Sequence, residues 1–245
     1  MATTLALALG AVPAQADEVL VAVAANFATP MARLADAYTA ATGHTLKLAS
    51  GATGKFYSQI VAGAPFEVLL SADDETPRRL IAEGHAVAGS AFTYAVGQLV
   101  LWSATPGLVD AQGAVLASSR FQKLAIANPK TAPYGRAAME VLAARGLTAA
   151  LTPKLVTGES VAQTYQFIAT GNAELGFVAL SQVSVPGKPP GGSMWRVPAA
   201  LHAPIRQDAV LLKPGAGKPA AAALLQWLRS EPAQAVIRTY GYERG

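Results

Sequence analysis

Apolar segments of strand length alternate with helix-forming segments along most of the chain. Residues 19–24, 45–49 and 66–71 are runs of apolar and β-forming residues that suit buried parallel strands. The helices predicted after these runs end at residues that readily adopt the left-handed backbone conformation of a helix terminus: Gly43, Gly63 and Gly84. Repeated strand–helix–strand units predict an α/β fold with mostly parallel sheets flanked by helices.

Two longer β-rich runs interrupt this alternation. Residues 91–103 form the first run, with Gly97 inside it, and residues 205–213 form the second. Because strand and helix patterns fill the sequence between them, we predict two lobes joined by a two-segment hinge, with the ligand site in the gap. The predicted first lobe is discontinuous and the second is inserted into it: residues 17–95 with 207–245, and residues 96–206.

Two strand-to-helix connections carry small, hydroxyl or amide residues where a helix should begin. They are residues 24–31 (AANFATPM), where Thr29 is predicted to cap a helix starting at Pro30, and residues 50–58 (SGATGKFYS). A helix N-terminus exposes unpaired N–H groups and a partial positive charge, which suit a bound anion. Two such ends favour a shared anion pocket, although ordinary connections of an α/β sheet would give the same pattern.

Composition narrows the possible functions mainly by exclusion. The chain has 245 residues, of which 52% are hydrophobic and 14% charged, so it should form a globular core. It contains no cysteine, which excludes disulfides, thiolate catalysis and thiolate metal ligands. The 19 Lys and Arg and 15 Asp and Glu are spread without a basic run, so no nucleic-acid partner is indicated.

The N-terminus has the pattern of an export signal. Residues 3–12 (TTLALALGAV) have the length and hydrophobicity of a signal-peptide core, and residues 14–16 (AQA) match a cleavage site. We therefore predict export out of the cytoplasm, with cleavage after Ala16, although no Lys or Arg precedes the apolar stretch. The alternative is a short hydrophobic helix that belongs to the fold.

Enzyme motifs are absent from the sequence. It contains neither a G-x-S-x-G nucleophile turn nor an H-E-x-x-H zinc motif, and its three histidines are far apart. Asp73 and Asp74 follow a predicted strand and are interpreted as a helix cap, rather than as a metal site or acid/base pair. The prediction is a binding protein without catalytic residues, cofactor or free metal ion.

The chain resembles the periplasmic molybdate-binding proteins of ABC transporters, the ModA type. The segments that carry the resemblance span nearly all of the sequence after residue 16: AANFATPM (24–31), SGATGKFYSQIVAGAPFEVLLSAD (50–73), YAVGQLVLWS (94–103), IANPKTAPYGRAAMEVL (126–142), GESVAQTYQFIATGNAELGFVALSQV (158–183), PIRQDAVLLKPG (204–215) and YGY (240–242). The resemblance implies the two-lobe fold of type II solute-binding proteins and an oxyanion held between the lobes. It also implies a periplasmic location and a membrane permease partner, and we expect a monomer.

The resemblance further implies five binding positions. In the first lobe, Asn26 would bind through its side chain and backbone N–H, Ala25 through its backbone, and Thr53 through its hydroxyl and N–H. In the second lobe, Tyr134 and Val161 would each offer a backbone N–H at the start of a helix.

Two details of this implied site stay open. Some family members carry a tyrosine that donates to the oxyanion after the strand matching residues 175–178, where this chain has Ala179. Either that bond is absent, or Tyr134 or Gln163 replaces it. Ser50 is the alternative to Thr53 if the loop register is shifted.

A site without cations is chemically reasonable for a fully deprotonated dianion. Such an anion only accepts hydrogen bonds, and burying full ion pairs would carry a heavy desolvation cost. Together with this chemistry, the resemblance predicts capture of molybdate and of tungstate, which is nearly isosteric, for delivery to an ABC permease. The alternatives are another tetrahedral oxyanion such as sulfate, and an effector-sensing module of the same fold.

Overall fold

A computed structural model describes residues 16–184, 186–187 and 191–245. The predicted signal peptide thus lies outside the described residues, apart from Ala16. The strands are β1 (Glu18–Ala24), β2 (Thr45–Gly51), β3 (Val68–Leu70), β4 (Phe92–Gly97), β5 (Leu99–Ser103), β6 (Leu124–Ala127), β7 (Leu155–Gly158), β8 (Leu175–Ala179), β9 (Ser193–Arg196) and β10 (Ile205–Leu211). The helices are α1 (Ala28–Thr42), α2 (Thr53–Val61), α3 (Glu75–Ala82), α4 (Pro133–Ala144), α5 (Thr148–Leu151), α6 (Val161–Ala169), α7 (Leu180–Val183), α8 (Pro219–Leu228) and α9 (Glu231–Thr239).

The strands form two five-stranded sheets with the same topology. The first has the order β2-β1-β3-β10-β4, and the second has the order β7-β6-β8-β5-β9. In each sheet three neighbouring strands run parallel, and the fourth (β10 or β5) is antiparallel to both of its neighbours. The predicted α/β two-lobe fold with mostly parallel sheets is confirmed.

The chain passes between the sheets where the sequence has its β-rich runs. Residues 91–103 form β4 of the first sheet and β5 of the second, and β10 returns to the first sheet. Strand β4 continues to Gly97, past the predicted boundary at residue 95, and β10 begins at Ile205, before the predicted boundary at residue 207. The precise lobe boundaries stay a prediction.

Helices cover both faces of the first sheet because its strands bury alternate side chains on opposite faces. One face packs on α1, α8 and α9 through residues such as Leu34 and Leu224. The other packs on α2 and α3 through residues such as Phe56 and Leu80. The second sheet shares a single apolar core with its helices. Of the helices in the described ranges, none combines the length and apolar character needed to cross a membrane.

The capping residues predicted for two helices can be compared with the structure. The predicted cap at Thr29 is wrong: α1 begins at Ala28, directly after a 3-10 turn at Ala25–Phe27, and no side chain caps it. The interpretation of the acidic pair is confirmed for Asp73, whose Oδ1 accepts the N–H of Thr76 at 2.9 Å in the first turn of α3.

Candidate ligand-binding site

A small cavity between the lobes brings the five predicted site residues together. The space free of protein atoms there, counted together with the adjoining open solvent, is about 210 Å³. Its described lining comes from both lobes and consists of Ala24, Ala25, Asn26, Gly51, Ala52, Thr53, Ala72, Ala132, Pro133, Tyr134 and Val161. Every one of these lining residues is uncharged, so a ligand here meets dipoles and hydrogen-bond donors instead of ionic partners.

Three helices begin at this cavity. Thr53 is the first residue of α2, Tyr134 is the second of α4, after Pro133, and Val161 is the first of α6. The first N–H groups of a helix have no acceptor within it. In the described part of the chain, the backbone N–H groups of these three residues also find no acceptor elsewhere. The cavity thus gathers unpaired donors and the positive ends of three helix dipoles.

Thr53 adds a hydroxyl to these backbone donors. Its Oγ1 accepts the N–H of Ala72 at 3.0 Å, and the residue is 2% exposed. Because that bond uses a lone pair of the oxygen, the hydroxyl hydrogen is left for a ligand. Ser50, the alternative to Thr53, is exposed and does not line the cavity, whereas Thr53 does.

Asn26 lies at the cavity, but its amide group is engaged on the protein side. Its Nδ2 donates to Gln207 Oε1 at 2.8 Å and to the Tyr242 hydroxyl at 2.9 Å. An amide nitrogen carries two hydrogens, so both are used. In this arrangement the Asn26 side chain has no hydrogen left to donate to an oxyanion, so a bond from this residue to a ligand would have to come from its backbone N–H.

The phenol of Tyr134 also points into protein. Its hydroxyl accepts Gln207 Nε2 at 3.2 Å and lies against Gly97, where an added Cβ would approach it to 2.1 Å. Burial raises the pKa of the phenols of Tyr94, Tyr134 and Tyr242, so all three stay protonated. Tyr134 thus offers the cavity its backbone N–H, as the resemblance implies.

At Ala179, where some relatives carry a tyrosine, the side chain is a fully buried methyl group. Gln163, one suggested substitute donor, is exposed and accepts the N–H of Glu159 at 2.7 Å. A different glutamine, Gln182, accepts the N–H of Ala179 at 3.0 Å and donates to the Val161 carbonyl at 3.1 Å. It ties α7 to the first turn of α6, next to the cavity.

The lobes touch directly at the rim of the cavity. The N–H of Gly54 donates to the Thr131 carbonyl at 2.9 Å across the gap. Lys55 pairs with Glu159 at 2.7 Å, so this lysine bridges the lobes rather than lining the cavity. Around the rim, charges are paired between lobes, whereas the described cavity lining has none.

A second interlobe ion-pair group lies beside this contact. The Arg136 guanidinium reaches Asp73 at 3.3 Å and Glu75 at 3.0 Å. These side chains are largely exposed except for that of Asp73, so each pair contributes little to stability by itself. The described residues contain no cluster of His, Asp or Glu suited to a metal ion.

Sequence reasoning did not assign roles to the residues behind the cavity. Gln207, Tyr242 and Ser181 hold Asn26, and Tyr94 donates toward Gln207 Oε1 at 3.0 Å. Each lies inside or beside a segment that carries the family resemblance. Nothing in local periodicity indicates these contacts, because their partners are more than 100 residues apart in the chain.

The fold and the cavity together define a two-lobe solute-binding protein. Comparison with known families agrees, because the family model described as bacterial extracellular solute-binding protein matches residues 19–243. The chain belongs to that family. It is 60% identical over 242 residues to the molybdate-binding protein ModA of Azotobacter vinelandii, covering 97% of this chain and 96% of the relative.

Two further comparisons agree. The chain is 56% identical to the molybdate-binding protein ModA of Rhodobacter capsulatus, covering 98% of this chain and 94% of the relative. Among solved structures, the periplasmic molybdate-binding protein of Azotobacter vinelandii superposes with a TM-score of 0.91 at 43% identity, covering 93% of this chain and 99% of that one. The family resemblance inferred from the sequence is therefore confirmed.

Proposed function

We propose that this protein captures molybdate in the interlobe cavity and delivers it to a membrane permease. The observation that carries the proposal is the uncharged cavity at which three helices begin, in a chain 60% identical to a molybdate-binding protein. The binding residues we propose are Asn26 and Ala25 through the backbone of their turn, Thr53 through its hydroxyl and N–H, and Tyr134 and Val161 through N–H groups.

The chemistry of this site fits a fully deprotonated tetrahedral anion. Molybdate has four oxygens that only accept hydrogen bonds, and the cavity offers N–H and O–H donors from both lobes. A protonated anion such as hydrogen phosphate would place its own O–H against a donor, leaving that hydrogen without an acceptor. Tungstate has nearly the same size and charge as molybdate, so we expect it to bind as well.

The proposed mechanism is conformational and involves no catalysis and no cofactor. Thr53 belongs to the first lobe, and Tyr134 and Val161 belong to the second, so an anion that bonds to all three stabilises the closed arrangement. The permease would then recognise the closed form. We also propose that the protein acts as a monomer in the periplasm after cleavage behind Ala16, which N-terminal sequencing of the exported protein would test.

Isothermal titration calorimetry of the purified protein tests the ligand proposal. We expect binding of molybdate and tungstate, and much weaker heats with sulfate and phosphate at equal concentration, because the larger metal oxyanions reach donors on both lobes. Thermal denaturation provides a second readout, since a ligand that binds only the native state raises the melting temperature. Equal affinity for sulfate and molybdate would refute the selectivity, and absence of molybdate binding would refute the function.

A further inference from the structure

A closed ring of hydrogen bonds surrounds residue 26 behind the cavity. Asn26 Nδ2 donates to the Tyr242 hydroxyl at 2.9 Å, and Ser181 Oγ donates to the Asn26 carbonyl at 2.8 Å. The Tyr242 hydroxyl lies 3.0 Å from Ser181 Oγ and 2.9 Å from the same Asn26 carbonyl oxygen. Each hydroxyl supplies one hydrogen: that of Ser181 goes to the Asn26 carbonyl, and that of Tyr242 has Ser181 Oγ and the Asn26 carbonyl as acceptors. The ring therefore joins the side chain of Asn26 to its own backbone carbonyl.

The members of the ring come from different parts of the fold. Asn26 lies in the turn after β1, and Tyr242 follows α9, so both belong to the first lobe. Ser181 lies in α7, directly after β8 of the second sheet. Of the two hydroxyls that reach the Asn26 carbonyl, that of Tyr242 comes from the same lobe and that of Ser181 from the other lobe, so the ring is complete only when the lobes are together.

The three residues of the ring are buried from solvent. Asn26 is 2% exposed, Tyr242 is 4% exposed and Ser181 is 6% exposed. Water has little access to replace a missing hydroxyl, and a buried polar group that loses its partner keeps the full cost of desolvation. The other hydrogen of the Asn26 amide is fixed by Gln207 Oε1 at 2.8 Å.

We propose that Tyr242 and Ser181 are positioning residues for ligand binding: their hydroxyls fix the orientation of the 25–27 turn at the cavity and couple that orientation to lobe closure. This inference rests on the proposed function, because it concerns the affinity of the same cavity. In this proposal, the Asn26 carbonyl bonds to the second lobe through Ser181, and the backbone N–H groups of the same turn bind the anion.

Molybdate titrations of Ser181→Ala and Tyr242→Phe test the inference, with the wild-type protein titrated first. We expect each variant to bind molybdate at least fivefold more weakly, while Ser181→Thr, which keeps the hydroxyl, restores most of the affinity. Because both hydroxyls act in one ring, the double variant should lose less than the product of the two single losses.

A matched tyrosine elsewhere separates positioning from general stability. Tyr38 is fully buried in the first lobe, and its hydroxyl donates to the Ala220 carbonyl at 2.9 Å, away from the cavity. Tyr38→Phe should lower the melting temperature about as much as Tyr242→Phe does, yet leave the molybdate dissociation constant within twofold of wild type. A dissociation constant measured by titration at a temperature where each variant is folded keeps the two effects apart.

The outcomes distinguish the two proposals. If wild type binds molybdate and both ring variants bind equally well, the positioning role is overturned and the proposed function stands. If Tyr38→Phe weakens binding as much as Tyr242→Phe, the effect is one of stability and the ring has no special role. If wild type does not bind molybdate, the function itself fails.

Discussion

Replacing Gly54 with alanine should prevent tight closure without weakening the fold. Gly54 is the second residue of α2, and a Cβ added there would lie 2.9 Å from Thr131 Cα and 3.1 Å from the Thr131 carbonyl oxygen, across the gap between the lobes. Both are backbone atoms, which cannot rotate away. Because the near atoms all belong to Thr131 on the other lobe, the added Cβ would make no such clash when the lobes are open.

The size of the effect follows from these distances. Ordinary contact between carbons needs about 3.5–4.0 Å, so the lobes must separate by roughly 0.5–1 Å at this point. A hydrogen bond of about 2.9 Å stretched by that amount passes the limit of useful geometry. A hydrogen bond to a charged group is worth about 1.5–3 kcal/mol, so the loss of one bond to the anion predicts roughly 10- to 100-fold weaker binding.

Calorimetry and thermal denaturation together provide the assay. For Gly54→Ala we expect this loss of molybdate affinity, with an unchanged or slightly higher melting temperature in the absence of ligand, because alanine favours a helix over glycine by up to about 1 kcal/mol. Small-angle scattering should show that molybdate compacts the wild-type protein more than the variant.

A matched glycine provides the control. A Cβ added at Gly191 would meet nothing within 4 Å, so Gly191→Ala should bind molybdate as wild type does. If Gly54→Ala keeps wild-type affinity, the contact between Gly54 and Thr131 does not limit closure, and the ligand-bound protein does not bring the lobes this close at Gly54. If it loses affinity together with unliganded stability, the clash is not specific to closure.

Three further predictions concern the donor, the rim and a loop cap. Thr53→Val should weaken molybdate binding by about 1–3 kcal/mol, whereas Thr53→Ser should stay near wild type in calorimetry. Arg136→Gln removes the pairs with Asp73 and Glu75, so ligand release in stopped flow should accelerate a few-fold, and the difference should vanish at high salt. Backbone N–H bonds, chiefly from residue 114, lower the pKa of Asp110 from 3.8 to about 2. Its contribution is therefore present above pH 4 and lost toward pH 2, so the stability difference between wild type and Asp110→Asn should shrink over that range in urea titrations.

Much of the fold is encoded locally and could be predicted from the sequence. Strands β1, β2 and β3 match the predicted runs 19–24, 45–49 and 66–71 to within two residues at each end, because apolar runs of strand length are sufficient to define them. The turn after β1 could not be predicted from the local sequence. A 3-10 turn at Ala25–Phe27 precedes α1, and its conformation depends on bonds to distant residues and not on a capping side chain.

Some features of the site can likewise be predicted from the local sequence, whereas others depend on residues far away in the chain. The positions of Thr53 and Val161 at helix starts follow from the sequence around them, and the structure places both at the cavity. The direction of the Asn26 amide does not, because its partners Gln207 and Tyr242 lie 181 and 216 residues away. The requirement for glycine at position 54 also could not be predicted locally, because the atoms that a Cβ would contact belong to the backbone of Thr131 on the other lobe.

Charged residues lie at the rim and uncharged residues line the cavity, and this difference indicates which interactions would hold the lobes closed. The interlobe pairs of Lys55 and Arg136 are mostly exposed, and pairs of this kind each contribute about 0–1 kcal/mol. Bonds from Thr53, Tyr134 and Val161 to one anion would each contribute about 1.5–3 kcal/mol in a site that excludes water. On the proposed function, the anion therefore outweighs the rim in holding the lobes together. Closure then reports occupancy, which is the property a permease needs to distinguish a loaded binding protein from an empty one.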